Sequence, residues 1–105
     1  MEHLSFTVPS KPSTVPRNQT AIAGVVGSGN LEVLLEPGPN PDAALFSIQT
    51  AARGFGEVWQ AVLSNFAEEY PIGGLQFSIN DNAATPAVVA LRLRQVLENA
   101  EGGVQ

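Results

Sequence analysis

The spacing of apolar residues along this chain first changes near Gly54, and that change limits the folds it can adopt. Before Gly54, apolar and polar residues alternate in short runs, a pattern typical of half-buried β-strands. After it, apolar residues recur every three or four positions in two longer segments, which predicts amphipathic helices. One more alternating run separates these segments. The predicted order is therefore strands first, then helix, strand and helix.

Five runs predict strands. Residues 4–8, 45–50 and 75–79 alternate between apolar and polar side chains with period two. Residues 20–26 and 31–36 predict two further strands, and only four residues separate them. A connection this short favours a β-hairpin.

Both helices have stop signals, and the second also has a clear start signal. Pro71 ends the first helix, while Thr85 as N-cap and Pro86 at the first helical position begin the second. Gly102 ends the second helix. The apolar stripes predicted to face the core are Phe55, Val58, Trp59, Val62, Leu63, Phe66, Ala67 and Tyr70 in the first helix, and Val89, Leu93, Val96, Leu97 and Ala100 in the second.

These elements predict an α+β fold. We expect a mainly antiparallel β-sheet of about four to five strands, with both amphipathic helices packed on one face, because that arrangement buries both apolar stripes. Residues 1–105 are expected to form a single domain, since a chain of this length can bury its own core. Residues 9–19 and 37–43 are predicted to be flexible loops, because their prolines remove backbone donors.

The composition excludes several classes of function. With no cysteine and a single histidine, His3, the chain offers neither a disulfide framework nor a zinc site, and we expect no metal ligands. A net charge of −5 argues against nucleic acid and anionic membranes. No apolar run approaches the roughly 20 residues that span a bilayer, and no secretory signal is visible, so we expect a cytoplasmic protein. The acidity either keeps the protein soluble or lets it dock on basic partners.

Ser28 stands between Gly27 and Gly29 in the predicted hairpin turn. The two glycines permit positive φ and remove side-chain bulk, so the serine hydroxyl is expected to be exposed. His3 is the only histidine, and it lies far from this turn in the sequence. With so little to activate it, Ser28 is predicted to be a site of attachment, and no catalytic residue is expected. A nucleophile elbow is rejected because a predicted strand, not a helix, follows Ser28.

Other candidate residues have plainer interpretations. We interpret Trp59 as a core residue, and residues 80–82, Asn-Asp-Asn, as a turn in preference to a cation site. Arg53 precedes a helix start that is able to hold a phosphate, although no pattern brings it near Ser28. Arg92 and Arg94 are predicted to be solvated, with recognition by a partner enzyme as the alternative.

Two segments resemble one known family. Residues 26–37, Val-Gly-Ser-Gly-Asn-Leu-Glu-Val-Leu-Leu-Glu-Pro, resemble the prosthetic-group attachment segment of the malonate decarboxylase acyl carrier protein (delta subunit) family. Residues 79–95 resemble the segment in which that family has Ala-Thr-Pro-x-Val-Val-x-Leu-Arg-Leu. Together the matches bracket most of the chain, from about residue 24 to residue 95. The Pro-rich residues 9–16 and 37–41 depart from the family pattern. This departure concerns loop lengths and not the attachment serine.

The resemblance implies a specific function. Ser28, flanked by Gly27 and Gly29, would carry phosphoribosyl-dephospho-CoA through a phosphodiester, attached by a separate prosthetic-group transferase. The thiol of that group would carry acetyl and malonyl thioesters between the acyl-transferase and decarboxylase subunits in malonate catabolism. The chain would then be a non-catalytic carrier subunit and a phosphoprotein.

Three alternatives remain open at this point. The acyl carrier subunit of citrate lyase uses the same type of prosthetic group, although residues 84–86, Ala-Thr-Pro, favour the malonate enzyme. An unmodified interaction subunit would use Ser28 only as a turn residue. A serine hydrolase is disfavoured, because His3 is the only base that the sequence offers to Ser28.

Overall fold

A computed structural model describes residues 1–16, 19–24 and 31–102. Its element order confirms the predicted sequence of strands and helices. The predicted hairpin turn lies outside the described residues, but the two strands that flank it are paired, with Ala21 opposite Leu35. The elements are β1 Glu2–Pro9, β2 Ala21–Ala23, β3 Leu31–Pro37, β4 Ala43–Thr50, α1 Gly56–Glu69, β5 Leu75–Asp81 and α2 Pro86–Ala100.

The five strands form one sheet in the order β1-β4-β5-β3-β2, which confirms the α+β fold. β1–β4, β2–β3 and β3–β5 are antiparallel, whereas β4–β5 is parallel, so the sheet is mixed. The parallel pair arises because α1 connects β4 to β5 and returns the chain to the same end of the sheet. The sheet is thus mainly antiparallel, as predicted, apart from this one crossover.

The core lies between the helices and one face of the sheet. Phe46 of β4 and Phe77 of β5 are opposite each other in register, and their rings stack with centroids 4.8 Å apart. α1 contacts β1, while α2 lies over β2 and β3. On β4, Phe46 and Ile48 are buried whereas Ser47 and Gln49 are exposed, so only one face of this strand enters the core.

The predicted helix stripes need one correction. All five predicted α2 residues are buried, as are Trp59, Leu63, Phe66 and Ala67 of α1. Phe55 and Val58, however, are 50% and 44% exposed. Phe55 is the N-cap, before the first helical turn, so its side chain does not follow the stripe. Val58 lies on the first turn, which faces the opening between the two helices instead of the sheet.

The two predicted loops form connections between strands. Residues 10–16 follow β1, and residues 38–42 join β3 to β4. Backbone hydrogen bonds join these segments to neighbouring chain, since the N–H of Ser13 donates to the carbonyl of Gly73 at 2.9 Å and that of Ser10 to Asp42 at 3.1 Å. Their flexibility stays a prediction. No helix within the described ranges is long and apolar enough to cross a membrane.

Two buried polar side chains, Thr50 and Asp81, join the ends of β4 and β5. The Thr50 hydroxyl donates to Asp81 Oδ2 at 2.8 Å and accepts from the N–H of Ala52 at 3.1 Å. Asp81 Oδ1 accepts from the N–H of Ala84 at 2.9 Å. One pair of side chains therefore shapes both connections that lead into the helices.

Trp59→Ala is expected to lower the free energy of unfolding by about 3–5 kcal/mol, because it removes a large side chain that is only 6% exposed. Denaturant unfolding followed by far-UV circular dichroism measures the change. Gln60→Ala, at the exposed next position, serves as the control. Near-wild-type stability of the Trp59 variant would contradict the core assignment.

Thr50→Val is expected to cost about 1–3 kcal/mol of stability, because Asp81 Oδ2 and the N–H of Ala52 each lose a buried partner. Ser47→Val, on the exposed face of the same strand, is the matched control. Equal denaturant midpoints for the two variants would show that the Thr50 hydrogen bonds contribute nothing to stability.

Candidate functional site

Ser28, Gly27 and Gly29 lie outside the described residues, but the residues that bracket their segment are described. Gly24 has φ +100°, and a Cβ at this position would collide with the carbonyl oxygen of Leu31. The two ends of the segment therefore touch, and only glycine permits the contact. Three peptide units join Ser28 to Leu31, so covalent geometry keeps their Cα atoms within about 11 Å of each other.

Leu31 marks the end of the sheet where several elements meet. It pairs with Asp81, which also pairs with Thr50. We call this the Leu31 end of the sheet. Because β4 and β5 both finish here, α1 and α2 both start beside it. The segment that holds Ser28 thus leaves the sheet at the end where both helices begin.

An apolar cleft of about 390 Å³ opens between the first turns of the two helices at this end. Its floor includes Trp59, which is buried, and its rim includes the exposed side chains of Phe55 and Val58. Ala52, Ala83 and Ala84 of the adjacent connections contribute small side chains. The larger apolar residues that line the cleft are Phe55, Val58, Trp59, Val62, Pro86 and Val89.

The walls of the cleft are held by hydrogen bonds and by one unusual backbone conformation. Asp81 lines the cleft, but its two carboxylate oxygens already accept from Thr50 and from the N–H of Ala84. Ala83 adopts φ +63°, in the left-handed region that disfavours residues with a Cβ. α1 begins at Gly56 with Phe55 as its N-cap, and no side chain in the described part of the chain caps its first N–H groups. The cleft is thus a shaped apolar space with backbone donors at its rim.

The burial of Arg92 differs from the sequence prediction. Arg94 is exposed, as expected, but Arg92 is half-buried. Its Nη1 donates to Gln95 Oε1 at 2.9 Å, while its Nε is buried without a hydrogen-bond partner within the described part of the chain. A buried donor without a partner among the described residues is unusual, because buried polar groups are normally hydrogen-bonded.

The position of Arg92 follows from the way α2 lies on β2. Asn99 of α2 donates its amide to the carbonyl of Ile22 at 3.3 Å. Arg92 precedes Asn99 by seven residues, which is about two turns or 10 Å along the same helix face. That displacement is towards the Leu31 end, since α2 begins there. Arg92 therefore lies between the Asn99 contact and the start of α2.

The remaining candidates have structural explanations or lie apart. Within residues 80–82, Asp81 stabilises the turn through Oδ1, which accepts from the N–H of Ala84, and binds Thr50 through Oδ2; this confirms the structural interpretation. Arg53 is exposed in the connection at the Leu31 end, and His3 is exposed on β1. In residues 1–16, 19–24 and 31–102, no three side chains of His, Cys, Asp or Glu form a group able to hold a metal.

Sequence reasoning missed the cleft because it assigned Phe55 and Val58 to the core. One signal was available: the apolar stripe of the first helix starts before the helix itself, at its N-cap. The half-burial of Arg92 left no such signal, because it depends on how α2 lies over β2.

Comparison with known proteins places this architecture in a family. The family model described as the malonate decarboxylase delta subunit (MdcD), an acyl carrier protein, matches residues 18–100. A malonate decarboxylase acyl carrier protein from Bradyrhizobium diazoefficiens is 50% identical over 105 residues, covering 98% of this chain and 99% of that protein. Another from Xanthomonas euvesicatoria is 49% identical over 102 residues, covering 97% of each.

A solved structure agrees with these matches. A chain in the crystal structure of a Pseudomonas malonate decarboxylase hetero-tetramer in complex with malonate is similar in fold, with a TM-score of 0.84 at 40% identity. The match covers 95% of this chain and 99% of that chain. The resemblance seen in residues 26–37 and 79–95 is thereby confirmed. The chain belongs to the malonate decarboxylase delta subunit, or acyl carrier protein, family.

Proposed function

We propose that this chain is the acyl carrier subunit of malonate decarboxylase and that Ser28 bears phosphoribosyl-dephospho-CoA through a phosphodiester. The observation that carries the proposal is the 50% identity, over nearly the whole length, to a protein named as a malonate decarboxylase acyl carrier protein. A hydroxyl is the functional group that a phosphodiester requires, and the Gly27-Ser28-Gly29 sequence presents it with little steric hindrance.

One described residue of α2 carries a charge that is complementary to a phosphodiester. The Gly24–Leu31 contact closes the segment that contains Ser28 at the Leu31 end of the sheet, where α2 begins. Arg92, in the first half of α2, has a buried Nε donor without a partner among the described residues. Guanidinium donors form strong, charge-assisted hydrogen bonds with phosphate oxygens. We therefore propose that Arg92 binds the phosphodiester, with Gln95 orienting its guanidinium through Nη1.

The composition indicates which role belongs to the prosthetic group and which to the protein. When bound, the prosthetic group supplies a thiol that carries acetyl and malonyl as thioesters, which a chain without cysteine cannot do itself. This chain holds the point of attachment and presents it to partner enzymes. A tether of this kind raises the local concentration of the carried group at each partner site.

The partners we propose are the acyl-transferase and decarboxylase subunits, together with the transferase that attaches the prosthetic group. The similar Pseudomonas chain belongs to a hetero-tetramer, which supports association with other subunits. We propose that the chain is itself non-catalytic, because its histidine is exposed on β1 and no base accompanies Ser28 in the sequence. The acidic, cysteine-free composition is compatible with a cytoplasmic location.

Ser28→Ala is expected to abolish both loading and carrier activity while leaving the fold unchanged, because it removes only the attachment oxygen. The intact mass of the chain purified together with its partner subunits and the attaching transferase measures loading. Ser47→Ala, an exposed serine on β4, should retain the added mass. Full malonate decarboxylation by a complex that contains Ser28→Ala would refute attachment and favour an unmodified interaction subunit.

Arg92→Gln is expected to move the ³¹P resonance of the loaded protein towards its position in the isolated tryptic phosphopeptide, because the phosphodiester loses its guanidinium partner. Arg94→Gln, exposed on the same helix, should leave the resonance where it is in the wild type. Equal spectra for the two loaded variants would remove Arg92 from the phosphate site without affecting the assignment of Ser28.

A further inference from the structure

We infer that the apolar cleft between the first turns of α1 and α2 binds the adenine ring of the prosthetic group. This inference rests on the proposed function, since it takes the group to be attached at Ser28. It assigns a ligand to a cleft that is not needed to explain attachment itself.

Connectivity selects the part of the group that reaches the cleft. The thiol is the free end of dephospho-CoA, so the adenosine end is the one joined to the phosphoribosyl unit and nearest to Ser28. Ser28 lies within about 11 Å of Leu31 by covalent geometry. Leu31 pairs directly with Asp81, and Asp81 lines the cleft. Counted from Ser28, adenine is therefore the first large uncharged ring system of the group. The attachment segment that carries it starts beside this cleft.

The chemistry of the cleft favours a flat aromatic base over the charged parts of the group. Phe55, which is 50% exposed, supplies an aromatic ring on which a base can stack, and the ring of Trp59 forms part of the floor. Phe55 and Val58 are half-exposed at the rim, so a bound base would cover apolar surface that is otherwise in water. The diphosphate does not suit an apolar space whose wall includes a carboxylate, Asp81, and it would remain in solvent.

Polar groups of the base also find partners at the rim. Among the described residues no side chain caps the first N–H groups of α1, and the ring nitrogens of adenine are hydrogen-bond acceptors. Weak contacts are sufficient, because a short tether gives an effective concentration on the order of millimolar. With the base bound, the distance that the thiol can reach is measured from the cleft. Only the pantetheine portion then moves between partner enzymes.

The test uses Trp59, the single tryptophan of the chain, as an intrinsic reporter. Wild type loaded with the prosthetic group is compared with Ser28→Ala purified from the same cells, and intact mass establishes loading. Stacking of adenine on the cleft predicts a loss of Trp59 fluorescence in the loaded protein. Loaded Val58→Glu should recover the emission, because a charged side chain then stands at the rim.

A matched control distinguishes the cleft from the rest of the surface. Leu91 is 41% exposed on α2, close to the 44% of Val58, and it does not line the cleft. Loaded Leu91→Glu should therefore lose emission as the wild type does. The comparison of Trp59 emission between loaded wild type and Ser28→Ala does not depend on any cleft variant. It therefore remains decisive even if Val58→Glu destabilises the protein.

The outcomes separate this inference from the proposed function. Emission from the loaded wild type equal to that of Ser28→Ala would overturn the adenine site while leaving attachment intact. No added mass on the wild type would overturn the attachment and the adenine site together. A third outcome is that loading does not change Trp59 emission, whereas adding the partner subunits to Ser28→Ala does. That result would assign the cleft to protein docking and overturn the inference.

Discussion

The parallel pairing of β4 with β5 is the constraint on which the rest of this structure depends. Because α1 must return the chain to the same end of the sheet, both strands finish together, and both helices start together beside them. β3 runs antiparallel to β5, so it begins at that same end, immediately after the segment that contains Ser28. A purely antiparallel meander would have distributed these features over both ends of the sheet.

This convergence needs a specific polar interaction to hold it. Two parallel strands that both lead into helices leave backbone groups unpaired near the helix starts, and such groups are costly when buried. Thr50 and Asp81 satisfy two of them: their side chains bind each other, Thr50 accepts from the N–H of Ala52, and Asp81 accepts from the N–H of Ala84. A buried carboxylate that at first resembles a ligand site therefore serves the architecture, and the cleft beside it keeps its apolar character.

Three features of this part of the molecule bear on the proposed function. The Gly24–Leu31 contact closes the segment that contains Ser28, the Arg92 Nε of α2 has no partner among the described residues, and the apolar cleft lies beside Asp81. In the function we propose, these surfaces would bind successive parts of one long group, namely the phosphodiester at Arg92 and the base at the cleft. The flexible thiol end would then be free to visit the partner enzymes that perform the chemistry.

Local patterns in the sequence were sufficient for the elements, because strand and helix periodicity depend on neighbours in the chain. The five strands, the Thr85 cap of α2 and the buried stripe from Trp59 to Ala67 could all be predicted in this way. The sequence also determined the chemistry available to the chain: a serine between glycines, no cysteine and a net negative charge. Only the tertiary structure decided the parallel strand pair, the exposure of Phe55 and Val58, and the half-burial of Arg92. These features depend on contacts between segments that are distant in sequence, and no local periodicity encodes such contacts.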